Sequence, residues 1–229
     1  MGPLESLPYM IGGPLILSLG LATYLHSRKE KAGMFLSYLL FIWGIVFSLF
    51  PFMFFAGSYE RALLVFRIMA ALLVFVPFFY VMAIIAIVKE DDRTRKRLFM
   101  IFLAASSALS LTPFLFPGII DVQFEGGIYH GTFNLQSANL SLVTSIFFLI
   151  LPSFYALTKM GEVDPELRIR ARGTIAAYVA SDIFYITEVY LAALGNYRYI
   201  HILNSLIVMC AYAIYYFFVM RRVYYGTGP

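Results

Sequence analysis

Apolar residues in this chain fall into long unbroken runs separated by short polar punctuation. The runs cover about 8–25, 32–55, 62–88, 98–116, 142–157, 174–194 and 200–219. Each is long enough, or nearly so, to cross ~30 Å of hydrocarbon as a helix rising ~1.5 Å per residue. The run at 142–157 is the shortest and contains Pro152. Helices satisfy their own backbone hydrogen bonds, which lipid cannot do. The pattern therefore predicts an all-α membrane protein: one domain, residues 1–229, folded as a seven-transmembrane helix bundle.

The polar punctuation predicts the orientation. Fourteen of the seventeen Lys and Arg residues lie in 28–31, 89–97, 159–172 and 221–222, all on one side of alternating crossings. Arg61 and Arg198 lie on the other side, and Arg67 lies inside the third run. Short loops rich in Lys and Arg stay in the cytoplasm. The expected topology is multi-pass in the plasma membrane, N-terminus outside and C-terminus cytoplasmic. The longest outer connection, 118–141, places Val122, Phe124, Ile128 and Phe133 around Gly126-Gly127 and Gly131. Apolar residues around a double glycine predict a β-hairpin, which could lie over the outer mouth as a lid.

Composition sharpens this picture. The chain is 61% hydrophobic and 13% charged, against roughly 45–50% and about 25% for soluble domains. Seven spans leave no room for a soluble domain. The net charge of +4 does not point to nucleic acid, because the basic residues are spread over short loops between apolar runs. Cys210 is the only cysteine, so no internal disulfide or cysteine metal cluster is expected. All five lysines lie in inner loops or at their edges, which excludes a retinal Schiff base, since that needs a buried amine. His26, His130 and His201 fall at span ends or in a loop, so no pair is placed to clamp a haem or a metal. The chain has no HExxH, no GxSxG and no glycine-rich phosphate loop. No cofactor, no metal and no enzymatic activity are expected.

Ionisable groups inside a membrane are costly, and each is a candidate for function. Arg67 lies ~8 Å below the outer start of its span and Glu188 ~9 Å below the outer end of its own. Matched depth and opposite charge predict an Arg67–Glu188 pair. His201 and Asn204 enter from the outer end of the last span, one helical turn apart, and complete a candidate ligand or switch cluster. Tyr178, Ser181, Tyr185 and Glu188 recur on one helical face. Asp182 sits beside that face at ~12 Å from the inner end, a candidate proton or cation site. The competing reading of these groups is helix-to-helix glue. The run Ala104-Ala105-Ser106-Ser107-Ala108 reads as close helix packing, and Trp43 with the Phe-rich stretch 47–55 as span filler and interfacial anchor.

The segments Ile42-Trp43-Gly44, Tyr59 to Arg67 and Val76-Pro77-Phe78-Phe79-Tyr80 carry a resemblance. An apolar helix with a central Trp, a short outer loop and a helix with a Pro two-thirds along resemble the N-terminal seven-helix sensor module of prokaryotic histidine kinases. The likeness extends from about residue 10 to 223, through the hairpin-like outer loop and the Arg168, Arg170, Arg172 stretch. It implies a module that senses an outer or membrane-borne signal and has no catalytic residues. The sequence through Pro229 departs from that family in showing no kinase domain, so none is expected. A separate cytoplasmic signalling protein is then the expected partner, reached through loops 89–97 and 158–172, alongside membrane lipids and a small-molecule ligand. The alternative is a small proton- or cation-coupled transporter or channel.

Overall fold

The computed structural model describes residues 7–88, 92–116, 118–195 and 199–221, with the side chains of 7, 8, 92, 162 and 201 outside that description. Among the described residues, seven helices are long and apolar enough to cross a membrane. Of the basic connection at 89–97, residues 89–91 lie outside the described part, as do Arg198 and Arg222.

Helices α1 (Leu7–Ser27) and α2 (Lys31–Phe54) form the tightest pair in the fold. Glycines make that approach possible. A Cβ on Gly44 would sit 2.7 Å from Leu17 of α1, and one on Gly20 would sit 3.2 Å from Phe41 of α2. Small residues at a crossing let two backbones come close, where dispersion contacts accumulate.

The third span is broken in two, α3 (Tyr59–Leu73) and α4 (Phe75–Ile87). Ser58 caps its start, its hydroxyl accepting from the Arg61 amide at 3.4 Å. Pro77 has no N–H for the Leu73 carbonyl four residues back, and its ring crowds that carbonyl. The break falls at Val74. Below it, α4 is buried nearly all round, from Val76 through Ile87. A helix apolar on every face belongs in the middle of a bundle.

Helix α5 (Asp92–Ser110), continued by the short α6 (Thr112–Leu115), is the least covered span: 11% of it is buried inside the fold. Strands β1 (Ile120–Glu125) and β2 (Ile128–Phe133) then pair antiparallel, with Glu125 opposite Ile128 and Ile120 opposite Phe133. Gly126 and Gly127 make the two-residue turn at φ 61° and 88°, the left-handed region that a tight hairpin demands. The hairpin expected around this double glycine is present.

The fifth span begins earlier than the sequence pattern suggests. Helix α7 (Leu135–Ser145) is capped by Asn134, whose side-chain oxygen accepts from the Ser137 amide at 2.8 Å. A π-helical turn at Ile146–Ile150 joins it to α8 (Leu151–Lys159). Pro152 follows the π turn, as expected where a missing N–H forces the ladder to widen. Residues 135–141 looked like loop because they are polar, yet they are helical.

Helices α9 (Pro165–Ala193) and α10 (Ile200–Tyr215) complete the bundle, and α10 ends in a second π turn at Tyr216–Met220. Asp164 caps α9 by accepting from the Glu166 and Leu167 amides. Apart from Arg61 and Arg67 on α3, the described basic residues lie at one end. There Arg170, 6% exposed, donates from Nε and Nη2 to the Phe218 carbonyl at 3.1 and 2.7 Å. The same guanidinium lies over the Phe218 ring and 3.5 Å from Glu30. Arg221 donates to Glu166 at 3.1 Å. The hairpin sits at the opposite end. The exterior of the spans is apolar, with Phe52, Phe154, Leu194 and Met209 each more than two-thirds exposed.

Candidate functional site

The bundle encloses a cavity of about 190 Å³ between the hairpin and the middle of the spans. Its roof is the hairpin. β1 packs on α3, while β2 packs on α9 and α2. Ile120, His130, Gly131 and Phe133 close the mouth from above. Gly131 is required there, since a Cβ would meet the Phe66 ring at 2.5 Å. Phe66 and Phe133 meet edge to face at 5.3 Å, and Tyr59 donates to Asp121 at 2.6 Å. These contacts fasten the roof to the top of α3.

One wall is aromatic. Trp43, Phe47, Phe50 and Phe54 come from α2, and Phe66 from α3. Tyr178 lines the cavity and is backed by Tyr80, the two rings stacked with centres 4.0 Å apart and planes 13° from parallel. The Tyr80 and Ser153 hydroxyls are hydrogen-bonded at 2.6 Å, and Trp43 meets Tyr178 edge-on at 6.3 Å. The break in the third span contributes Leu73, Val74, Val76 and Pro77 to the lining.

The other wall is polar and belongs to α7, α9 and α10. Asn204, 2% exposed, places its amide nitrogen 2.7 Å from the Tyr9 hydroxyl and 2.9 Å from a Glu188 carboxyl oxygen. The same nitrogen lies 3.0 Å from the Ile200 carbonyl. Two N–H groups serve three acceptors, so one bond is shared. Asp182 accepts from the Ser145 hydroxyl at 3.1 Å. Glu188 and Asp182 stand six residues apart on α9, ~9 Å along its axis. Among the described residues no Lys or Arg lines the cavity.

Of the residues singled out by sequence, Tyr178, Ser181, Asp182, Tyr185, Glu188 and Asn204 all line this one space. Arg67 does not. The pair expected between Arg67 and Glu188 does not form: Glu188 takes its hydrogen bond from Asn204. Arg67 is half-buried, its Nε has no hydrogen-bond partner, and α3 lines the cavity with Phe66, Met69, Ala70 and Leu73 instead. Equal depth was the basis for pairing them, but depth leaves the rotation of each helix open. An amide, which sheds no charge on burial, does the work expected of the guanidinium. The side chain of His201 lies outside the described residues.

Other lining residues escaped the sequence reading. Tyr9 comes from the first span, and His130 from the roof. Trp43, Phe47, Phe50 and Phe54 read as filler but form the aromatic wall. Ser137, Ser141, Thr144 and Ser145 also line the cavity. Their spacing, four, three and one, marks one helical face, and that signal was legible. Among the described residues no three His, Cys, Asp or Glu side chains gather to hold a metal. Neither protein-family models nor curated proteins match this chain.

Proposed function

We propose that this chain is a seven-helix sensor of the plasma membrane. The hairpin end faces outside, in keeping with the distribution of Lys and Arg. A small molecule from outside or from the membrane occupies the roofed cavity, and the basic end passes the signal to a cytoplasmic partner through loops 89–97 and 158–172. The resemblance to histidine-kinase sensor modules points the same way.

One observation carries this reading. The two helices that hold the polar wall also build the contacts at the far end. Helix α9 carries Glu188 and Asp182 near the roof and Arg170 and Glu166 at the base. Helix α10 carries Asn204 and runs into the Phe218 carbonyl that Arg170 grips. From Asn204 to Phe218 the chain rises ~21 Å. Two packed helices joined at both ends form one element, and a ligand that binds one of its packings better shifts the population toward it. Pro77 and the gap at Val74 give the facing helix a point at which to yield.

Hydrogen exchange at Tyr216–Met220 tests the relay, comparing wild type with Glu188→Gln in native-lipid nanodiscs. Altered protection at that turn supports the relay. Identical protection, with both proteins folded, contradicts it.

A second reading is a proton- or cation-coupled transporter. It is favoured by two carboxylates set one above the other along α9. It requires ion flux in liposomes that disappears in Asp182→Asn, which the sensor does not.

A further inference from the structure

The cavity wall is chemically one-sided. Among the described residues it presents two carboxylates and no Lys or Arg. Each carboxylate has about four lone-pair sites, yet each accepts a single hydrogen bond from the protein, Glu188 from Asn204 and Asp182 from Ser145. Among the described residues, the second oxygen of each has no hydrogen-bond partner. The rest of the lining offers ring faces, among them Trp43, Phe50 and Tyr178. Carboxylates supply charge and acceptors to a cation, and electron-rich ring faces attract one through their quadrupoles. An anion would meet two like charges and no compensating base. A neutral apolar molecule would fill the space but leave the spare oxygens unpaired, at a cost of desolvation.

Volume narrows the class. The space measures about 190 Å³, and a dry cavity of ~150 Å³ accommodates benzene. A body of benzene's size therefore fits, with room for a short side arm.

We infer that the cavity takes a protonated organic amine with an apolar body of about benzene's size, its ammonium held by one of the two carboxylates, Glu188 or Asp182, which stand too far apart along α9 to share it. The inference rests on the ligand-sensing reading above and names the chemistry of that ligand. Asn204 and Ser145 are positioning residues: each occupies one oxygen of its carboxylate and leaves the other for the amine. The aromatic wall surrounds the body and the cationic head together.

The test uses the full chain in nanodiscs, with phenethylamine as the probe and phenylethanol as its neutral counterpart of the same shape. Binding is read by calorimetry, and hydrogen exchange at Tyr216–Met220 is recorded on the same samples. Phenethylamine should bind, phenylethanol should bind ~10- to 100-fold more weakly, and Glu188→Gln with Asp182→Asn together should remove that preference. The single variants keep the test open if the double variant does not fold: the one that removes the ammonium's carboxylate should weaken the amine and spare the alcohol, and if neither does so the inference fails. Equal binding of amine and alcohol overturns the inference, as does amine binding that survives both substitutions, or no binding of either probe. The exchange readout separates this from the sensor reading. Amine that binds without altering Tyr216–Met220 sustains the ligand class and sinks the relay. An altered turn with a preference for the alcohol does the reverse.

Discussion

Asn204 donates its side-chain amide to Glu188 at 2.9 Å and to Tyr9 at 2.7 Å, tying α1, α9 and α10 together beneath the hairpin. Asn204 is 2% exposed. Replacing it with Leu should leave two buried acceptors without their donor, a loss of ~1–3 kcal/mol. Thermal unfolding in detergent measures this. Glu188→Leu added to Asn204→Leu should recover part of the loss, because it removes the carboxylate that had lost the Asn204 donor. No recovery would mean that Glu188 contributes through other contacts.

The roof rests on Gly131. Gly131→Val should push the hairpin off Phe66, and Phe66→Ala should let it settle again. Limited proteolysis at the Gly126-Gly127 turn reports this: cleavage should rise in the single variant and fall back in the double. Unchanged cleavage in Gly131→Val would show that the roof is held by Tyr59–Asp121 instead.

The grip at the basic end depends on the shape of a guanidinium. Arg170 donates two bonds to one carbonyl and lies over the Phe218 ring. Lysine keeps the charge but lacks the fork and the planar face. Arg170→Lys should therefore destabilise the bundle almost as much as Arg170→Ala, by ~2 kcal/mol, and should speed amide exchange across Tyr216–Met220. Full rescue by lysine would reduce this contact to its charge.

The break in the third span should follow from Pro77 alone. Pro77→Ala restores an N–H within reach of the Leu73 carbonyl. Exchange of the amides from Phe75 to Phe78 should slow. If it does not, packing against α2 and α8 imposes the break and the proline merely tolerates it.

Sequence alone reached most of this fold, because each apolar run is a near-complete statement of a helix. The hairpin was equally legible, since Gly126-Gly127 admits a conformation few other pairs adopt. The start of α7 was not. Ser137 and Ser141 fall in the polar stretch 118–141 and read as loop, although with Thr144 and Ser145 they keep helical spacing and line the cavity. The polar face of α9 could be read from spacing, whereas the partner of Glu188 could not. Counting residues matches Arg67 to Glu188 only along the helix axes, whereas helix rotation is set by tertiary packing, so the pairing of the two could not be read from the sequence. The aromatic wall was hidden for a related reason: Trp43 and Phe50 have the same composition whether they face lipid or a cavity.

Native mass spectrometry of the protein, extracted gently from its own membranes, tests most directly whether this cavity is a ligand site. The expected result is a bound small molecule on the wild-type chain that is lost from the variant carrying Asp182→Asn and Glu188→Gln. A bare wild-type chain, or an adduct that persists in that variant, would contradict it.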